Sequence, residues 1–173
     1  MEKRDFVDKN RKTMGEKTTG ESNIAEGKYI QIVIICFEND KHEFLIQKRA
    51  EKKNGKWALT GGHVISEEDS ITAIIRETQE ELGLELVENQ IELVFSKRTY
   101  NCFADIYYMK KNIELSTLTL EKEEVEKVEW ASLEKINKLR EKGIFLECHY
   151  ECLKECVYFL EKIEEGEKEK CIN

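Results

Sequence analysis

The chain reads as an α/β protein with a mixed β-sheet between helices, and three observations predict this. Runs rich in β-branched and aromatic residues at 29–37, 44–47, 86–96 and 103–109 carry strand signals. Interleaved with and following them are segments at 69–82, 132–141 and 147–162 that read as helices. At 173 residues and 40% hydrophobic content, the chain is most economically one domain with enough apolar residues for a real core.

In chain order, residues 1–28 are an N-terminal extension. Asp8-Lys9-Asn10 and Gly15 signal turns there, so the segment is a short hairpin or partly disordered. Tyr29 to Phe37 and Phe44 to Gln47 are two strands joined by the turn Glu38-Asn39-Asp40-Lys41. Trp57-Ala58-Leu59-Thr60-Gly61-Gly62 is an apolar run into a glycine pair, which suits a strand entering a turn where backbone must approach something closely. From Asp69 to Leu82 there is neither Gly nor Pro, and Ile71, Ile74, Ile75, Thr78 and Leu82 recur on one helical face. That helix opens after Ser66 or Asp69, both good N-caps, and is stopped by Gly83. No proline occurs, so the remaining breaks fall to Gly, Asn and Asp. The charged stretch 161–173 is a tail, either a fraying helix end or disordered.

The polar side of the 69–82 helix carries the chemistry. Glu77 and Glu81 are one turn apart with Glu80 beside them, a spacing expected to gather their carboxylates away from the buried stripe. In a chain with 36 Asp and Glu, a solvated acidic face is the plain alternative. The glycine pair just upstream and Arg76, whose fork can hold Glu68 or a helix carboxylate, argue for a built site. Hard oxygen ligands in this number suit Mg²⁺, with Mn²⁺ as an alternative.

From Gly62 the sequence resembles the Nudix box, G-x5-E-x7-R-E-U-x-E-E-x-G-U with U aliphatic. Gly62, Glu68, Arg76, Glu77, Glu80, Glu81, Gly83 and Leu84 match it, and Thr78 stands where an aliphatic residue is usual. A threonine can still turn its methyl group inward, which makes this a small packing change. Phe44 to Arg49, then Gly55-Lys56-Trp57 and Gly61-Gly62-His63, look like the strand, basic loop and strand that precede the box in this family. Val125 to Leu133 resembles its late strand with a tryptophan. The resemblance places residues 29–160 in a Nudix domain and implies an α/β/α sandwich.

It also implies an activity. Members hydrolyse a diphosphate linked to another group, water attacking phosphorus with help from bound cations. Glu77, Glu80 and Glu81, with the backbone carbonyl of Gly61, would hold the metal, while Arg76 and Glu68 orient the cluster. The general base would be Glu77 or a glutamate before Trp130, where Glu124 is favoured over Glu123 and Glu126 by its distance to the tryptophan. Arg49 and Lys56, in the segment expected to run toward the pocket, are candidates for substrate phosphates or else ordinary exposed cations. His63 would line the site or make a structural hydrogen bond. Trp57 and Trp130 are core anchors. The substrate implied is a small phosphorylated molecule, a nucleotide derivative. The resemblance also leaves room for a homodimer, since many members pair.

Two other readings share the fold. Isopentenyl-diphosphate isomerases use a similar box but look to a cysteine shortly before it, and this chain has none between Cys36 and Cys102. A nucleotide-sensing module without catalysis would be expected to have lost box carboxylates, and none is missing here.

Net charge of −8 and a pI near 5.2 argue against nonspecific nucleic-acid binding, which needs a basic surface. The longest apolar run, Ile32 to Phe37, is too short to span a bilayer, and the charged start lacks a signal-peptide core, so a cytoplasmic protein without a membrane partner is expected. Cys148, Cys152 and Cys156 recur every four residues with His149 alongside. They read as reduced, small apolar residues on a C-terminal helix, in preference to a zinc site drawn from one element.

Overall fold

Both faces of the segment Ile30–Glu38 are covered: Val33, Ile35 and Phe37 belong to one apolar core, Ile34 and Cys36 to another. Successive strand residues point to opposite faces, so a strand buried on both must lie between two layers. A computed structural model describes residues 2–20, 24–99 and 101–172. Met1 and 21–23 of the expected N-terminal extension, Tyr100, and Asn173 of the expected tail lie outside the described residues.

The elements are β1 (Arg4–Val7), β2 (Thr13–Thr18), β3 (Ile30–Glu38), β4 (Phe44–Arg49), β5 (Trp57–Ala58), β6 (Thr60–His63), α1 (Ser70–Leu82), β7 (Glu92–Arg98), β8 (Cys102–Lys110), β9 (Val125–Ala131), α2 (Leu133–Glu141) and α3 (Glu147–Ile172). Strands β5, β4, β3, β8 and β7 lie in that order, with β6 added on β3 and β9 on β4. Only β3 and β8 run parallel among these pairs, from Ile30 opposite Cys102 to Glu38 opposite Lys110, so the sheet is mixed as expected. One core packs α1 against Val33, Ile35, Phe37 and Leu45 through Ala73, Ile74 and Leu82. The other packs α2 and α3 against Ile34, Cys36 and Ile46 through Ile136, Leu153 and Cys156. The result is an α/β/α sandwich.

Strand β3 meets β4 only where Glu38 faces Phe44, and then pairs with β6 instead, from Ile32 opposite His63 to Ile35 opposite Thr60. The two halves are linked by side chains: Thr60 Oγ1 donates to Gln47 Oε1 at 2.9 Å, with both residues buried.

Strands β1 and β2 form a separate hairpin. Its turn is set by Asp8 Oδ1, which accepts from Asn10 N at 2.8 Å and Lys12 N at 3.0 Å. Val7 and Tyr29 exchange backbone hydrogen bonds of 2.9 and 3.0 Å. Arg11 places its guanidinium on the buried carboxylate of Asp105, which also accepts from Ser70 and Ser96.

Some boundaries differ from the sequence expectation. The strand expected over 86–96 begins at Glu92, because Glu88–Gln90 forms a single 3-10 turn. Helix α3 continues through the charged stretch to Ile172, in keeping with the helix-forming tendency of its glutamates and lysines. Trp57 is buried, and Trp130 donates its indole N–H to Ile113 O at 3.1 Å. Among the described residues no helix is long and apolar enough to cross a membrane.

Candidate active site

Helix α1 owes its position to its two ends. Asp69 caps it by accepting from Thr72 N at 2.9 Å, and Gly83, at φ 64°, closes it with a bond to Gln79 O at 3.0 Å. Thr78 is fully buried, and its hydroxyl donates to Ile74 O at 2.8 Å. The polar atom at this usually aliphatic position is thus satisfied by the helix itself.

The glycine pair is required for two separate steric reasons. A Cβ on Gly61 would overlap the carbonyl of Val33 on the neighbouring strand, and one on Gly62 would overlap the carboxylate of Glu77. The first glycine admits the adjoining backbone and the second admits an acid.

Arg76 gathers the acids. Its Nε and Nη2 hold the two oxygens of Glu68 at 2.9 and 3.0 Å, and Nη1 holds Glu77 at 3.0 Å and Glu80 at 2.9 Å. Nη2 also donates to His63 O at 2.9 Å, which ties the helix to the end of β6. Glu68 fixes the loop as well, accepting from Ile65 N at 3.1 Å. Against the desolvation of partial burial, Glu68 and Glu77 hold the guanidinium above its ordinary pKa. Burial raises the Glu77 carboxyl, and Arg76 opposes that rise.

Glu81 corrects the expectation that all three glutamates turn away from the buried stripe. It is 7% exposed and lies among the buried residues of α1. Its Oε2 accepts from Gln47 Nε2 at 2.9 Å, completing a chain from Thr60 through Gln47 to Glu81. Burial pushes its carboxyl up to about 7. Gln47 and Thr60 support this site and were not among the sequence candidates, although each is a polar residue inside an otherwise apolar strand run, which was the signal to find.

A cleft of about 830 Å³ is lined by Gly61, Gly62, His63, Glu77, Glu80 and Glu81 together with Arg49, Lys53 and Glu124. Glu124 pairs with Lys53 at 2.9 Å. Neither Glu123, paired with Lys52, nor Glu126, paired with Lys48, lines the cleft. Arg49 reaches it, and its buried Nε has no hydrogen-bond partner among the described residues. Lys56, a phosphate candidate or ordinary cation from the sequence, does not line it: the chain reverses at Asn54-Gly55, and Lys56 O accepts from Arg49 N. Lys53, on the 3-10 turn before that reversal, is the lysine at the cleft.

The cleft continues past Ile30, Ile32 and Ile34 to Cys102, Leu146, Cys148 and His149. His149 Nδ1 accepts from Leu59 N at 3.2 Å, and burial takes its pKa down to about 4. Cys152 and Cys156 are core residues, while Cys148 is exposed at the cleft.

Among the described residues no three acid, imidazole or thiol side chains stand close enough to hold an ion as they are. Arg76 draws Glu77 and Glu80 to itself, and Gln47 holds Glu81. The donor set still fits a hard divalent cation: three carboxylates face one cleft, two of them with pKa values raised by burial that a nearby cation would offset.

Residues 28–149 match the NUDIX domain family. A relative from Listeria monocytogenes, an uncharacterized Nudix hydrolase, is 33% identical over 150 residues, covering 84% of this chain and 89% of the relative. A crystal structure from Deinococcus radiodurans superposes with a TM-score of 0.74 at 21% identity, covering 90% of this chain and 99% of that one. A MutT protein from Methanosarcina mazei does so with a TM-score of 0.60 at 24% identity, covering 75% and 94%.

Proposed function

This chain belongs to the Nudix family of hydrolases, which act on phosphoric anhydride bonds, and on that premise we propose that it is a Mg²⁺-dependent pyrophosphohydrolase whose substrate is a nucleoside diphosphate linked to another moiety. The observation that carries this reading is the sharing of one cleft by Glu77, Glu80, Glu81, Glu124 and the cations Arg49 and Lys53.

In this reading Glu77, Glu80, Glu81 and the Gly61 carbonyl hold the cation, with Mn²⁺ able to replace Mg²⁺. Bound there, the ion offsets diphosphate charge and polarises the phosphorus under attack. Arg76, anchored by Glu68, sets the positions of Glu77 and Glu80. Glu124 takes the proton from the attacking water, and its pairing with Lys53 fixes it at the cleft wall. Glu77 is the other candidate base. As water adds to phosphorus, the anhydride P–O bond breaks and its electron pair leaves on the departing phosphate. Arg49 and His63 contact substrate phosphates, with Lys53 in the place first given to Lys56.

An isomerase-like reaction is not favoured: the cleft's cysteines, Cys102 and Cys148, stand on β8 and α3 and not on the segment before the box.

The test is a panel of diphosphate compounds incubated with Mg²⁺ in ¹⁸O-water, with product masses showing which bond was cut. Label should enter one phosphorylated product, and Glu80→Gln and Glu81→Gln should abolish its release. Wild-type rates in both variants, or no cleavage of any compound with Mg²⁺ or Mn²⁺, refute the reading.

A further inference from the structure

We infer that Arg4, on the N-terminal hairpin, is a substrate-binding residue of this cleft that holds a phosphoryl oxygen of the diphosphate. The inference rests on the reading of the cleft as a diphosphate site.

Arg4 lines the same cleft as Gly61, Gly62 and Glu77, although it is far from all three in sequence. The hairpin that carries it is fastened on both sides of that position. Lys3 O accepts from Ser66 N at 2.8 Å, and Asp5 Oδ1 accepts from Ser66 Oγ at 2.9 Å, both within the loop leading into α1. Val7 is bonded to Tyr29, and Arg11 to Asp105. Alternation along β1 sends Arg4 to the face opposite Asp5. Asp5 therefore fixes the strand while Arg4 faces the cleft, so the backbone that carries Arg4 is ordered before any ligand arrives.

The charge balance gives that side chain a task. Six glutamates line the cleft, Glu2, Glu77, Glu80, Glu81, Glu121 and Glu124, against the cations Arg4, Arg49 and Lys53. A diphosphate carries more negative charge than one divalent ion cancels, so further positive groups must meet its outer oxygens. A guanidinium, with its planar fork, matches two phosphoryl oxygens better than an ammonium can.

The test measures two bindings by titration: Mn²⁺ alone, and methylenediphosphonate, a diphosphate analogue whose P–C–P bridge resists hydrolysis, in the presence of Mn²⁺. Wild type is read first; failure to bind Mn²⁺ would overturn the metal reading of the site and this inference with it. Given Mn²⁺ binding, Arg4→Ala should weaken methylenediphosphonate about 10- to 100-fold while Mn²⁺ affinity stays within about twofold. Arg4→Lys should recover part of the loss, since it restores charge without the fork. Should Arg4→Ala fail to fold, Arg4→Gln, which keeps most of the stem, is judged by the same criteria. Unchanged methylenediphosphonate binding in the folded variant overturns the assignment of Arg4 while leaving the metal site standing. A parallel loss of Mn²⁺ affinity overturns it too, by showing that Arg4 only supports the box.

Discussion

The carboxylate of Glu77 occupies the space that a side chain on Gly62 would need. A glycine on β6 and an acid on α1 are thus one steric unit, and the smallest substitution at the first acts directly on the second.

For Gly62→Ala we expect a folded protein with a melting temperature near that of wild type, because the group displaced is the far end of a flexible side chain. Its activity should fall about 100-fold, the scale of a displacement of about 1 Å in a catalytic group. Steady-state rates beside a thermal melt check both halves.

Arg76→Lys should be a severe change despite conserving charge. An ammonium cannot meet Glu68, Glu77, Glu80 and the His63 carbonyl at once, as the guanidinium does. Loss of at least about tenfold in kcat is expected, with a destabilisation of about 1–3 kcal/mol measured by urea unfolding.

The buried Glu81 gives the metal-free protein a particular pH response. Its carboxyl is raised to about 7 in the fold against an ordinary 4.5, so the folded state binds the proton more tightly than the unfolded chain does. Its contribution to stability is full below about 4.5 and is lost as pH rises toward 7. Melting temperature in chelator should therefore decline over that window. Glu81→Gln should flatten the decline, and Mg²⁺ added above pH 7 should raise the wild-type melting temperature but not that of the variant.

Asp105 works in the opposite sense. Against the pull of burial, hydrogen bonds from Arg11, Ser70 and Ser96 hold its carboxyl below the ordinary 3.8. The stability it contributes is present above that value and is lost as pH falls through the lower folded one. Arg11→Ala should weaken that acid-side dependence, cost about 1–3 kcal/mol, and raise amide exchange across 4–18, where the hairpin loses one of its ties to the sheet.

How much of this was legible in the sequence depended on the distance over which each feature is encoded. Helix α1 is local: its apolar spacing, the capping Asp69 and the closing Gly83 lie within one short segment and specify it without help. The mixed sheet between helices followed from the order of such segments. Glu81 was misjudged because its helical position borders the buried face, and only Gln47, 34 residues away, shows which side it takes. Lys56 and Lys53 could not be told apart, since the reversal at Asn54-Gly55 decides which of two neighbouring lysines meets the cleft. Arg4 left no mark at all, because the hydrogen bonds that position its strand reach to Ser66, Tyr29 and Asp105.

The fastening of Lys3 and Asp5 to the loop at Ser66 has a practical corollary for handling this enzyme. On the proposed reading of the cleft, a polyhistidine tag joined upstream of Lys3 would begin beside Glu2, a cleft-lining residue, and would compete with the carboxylates for the proposed cation. Purification handles therefore belong at the far end of α3.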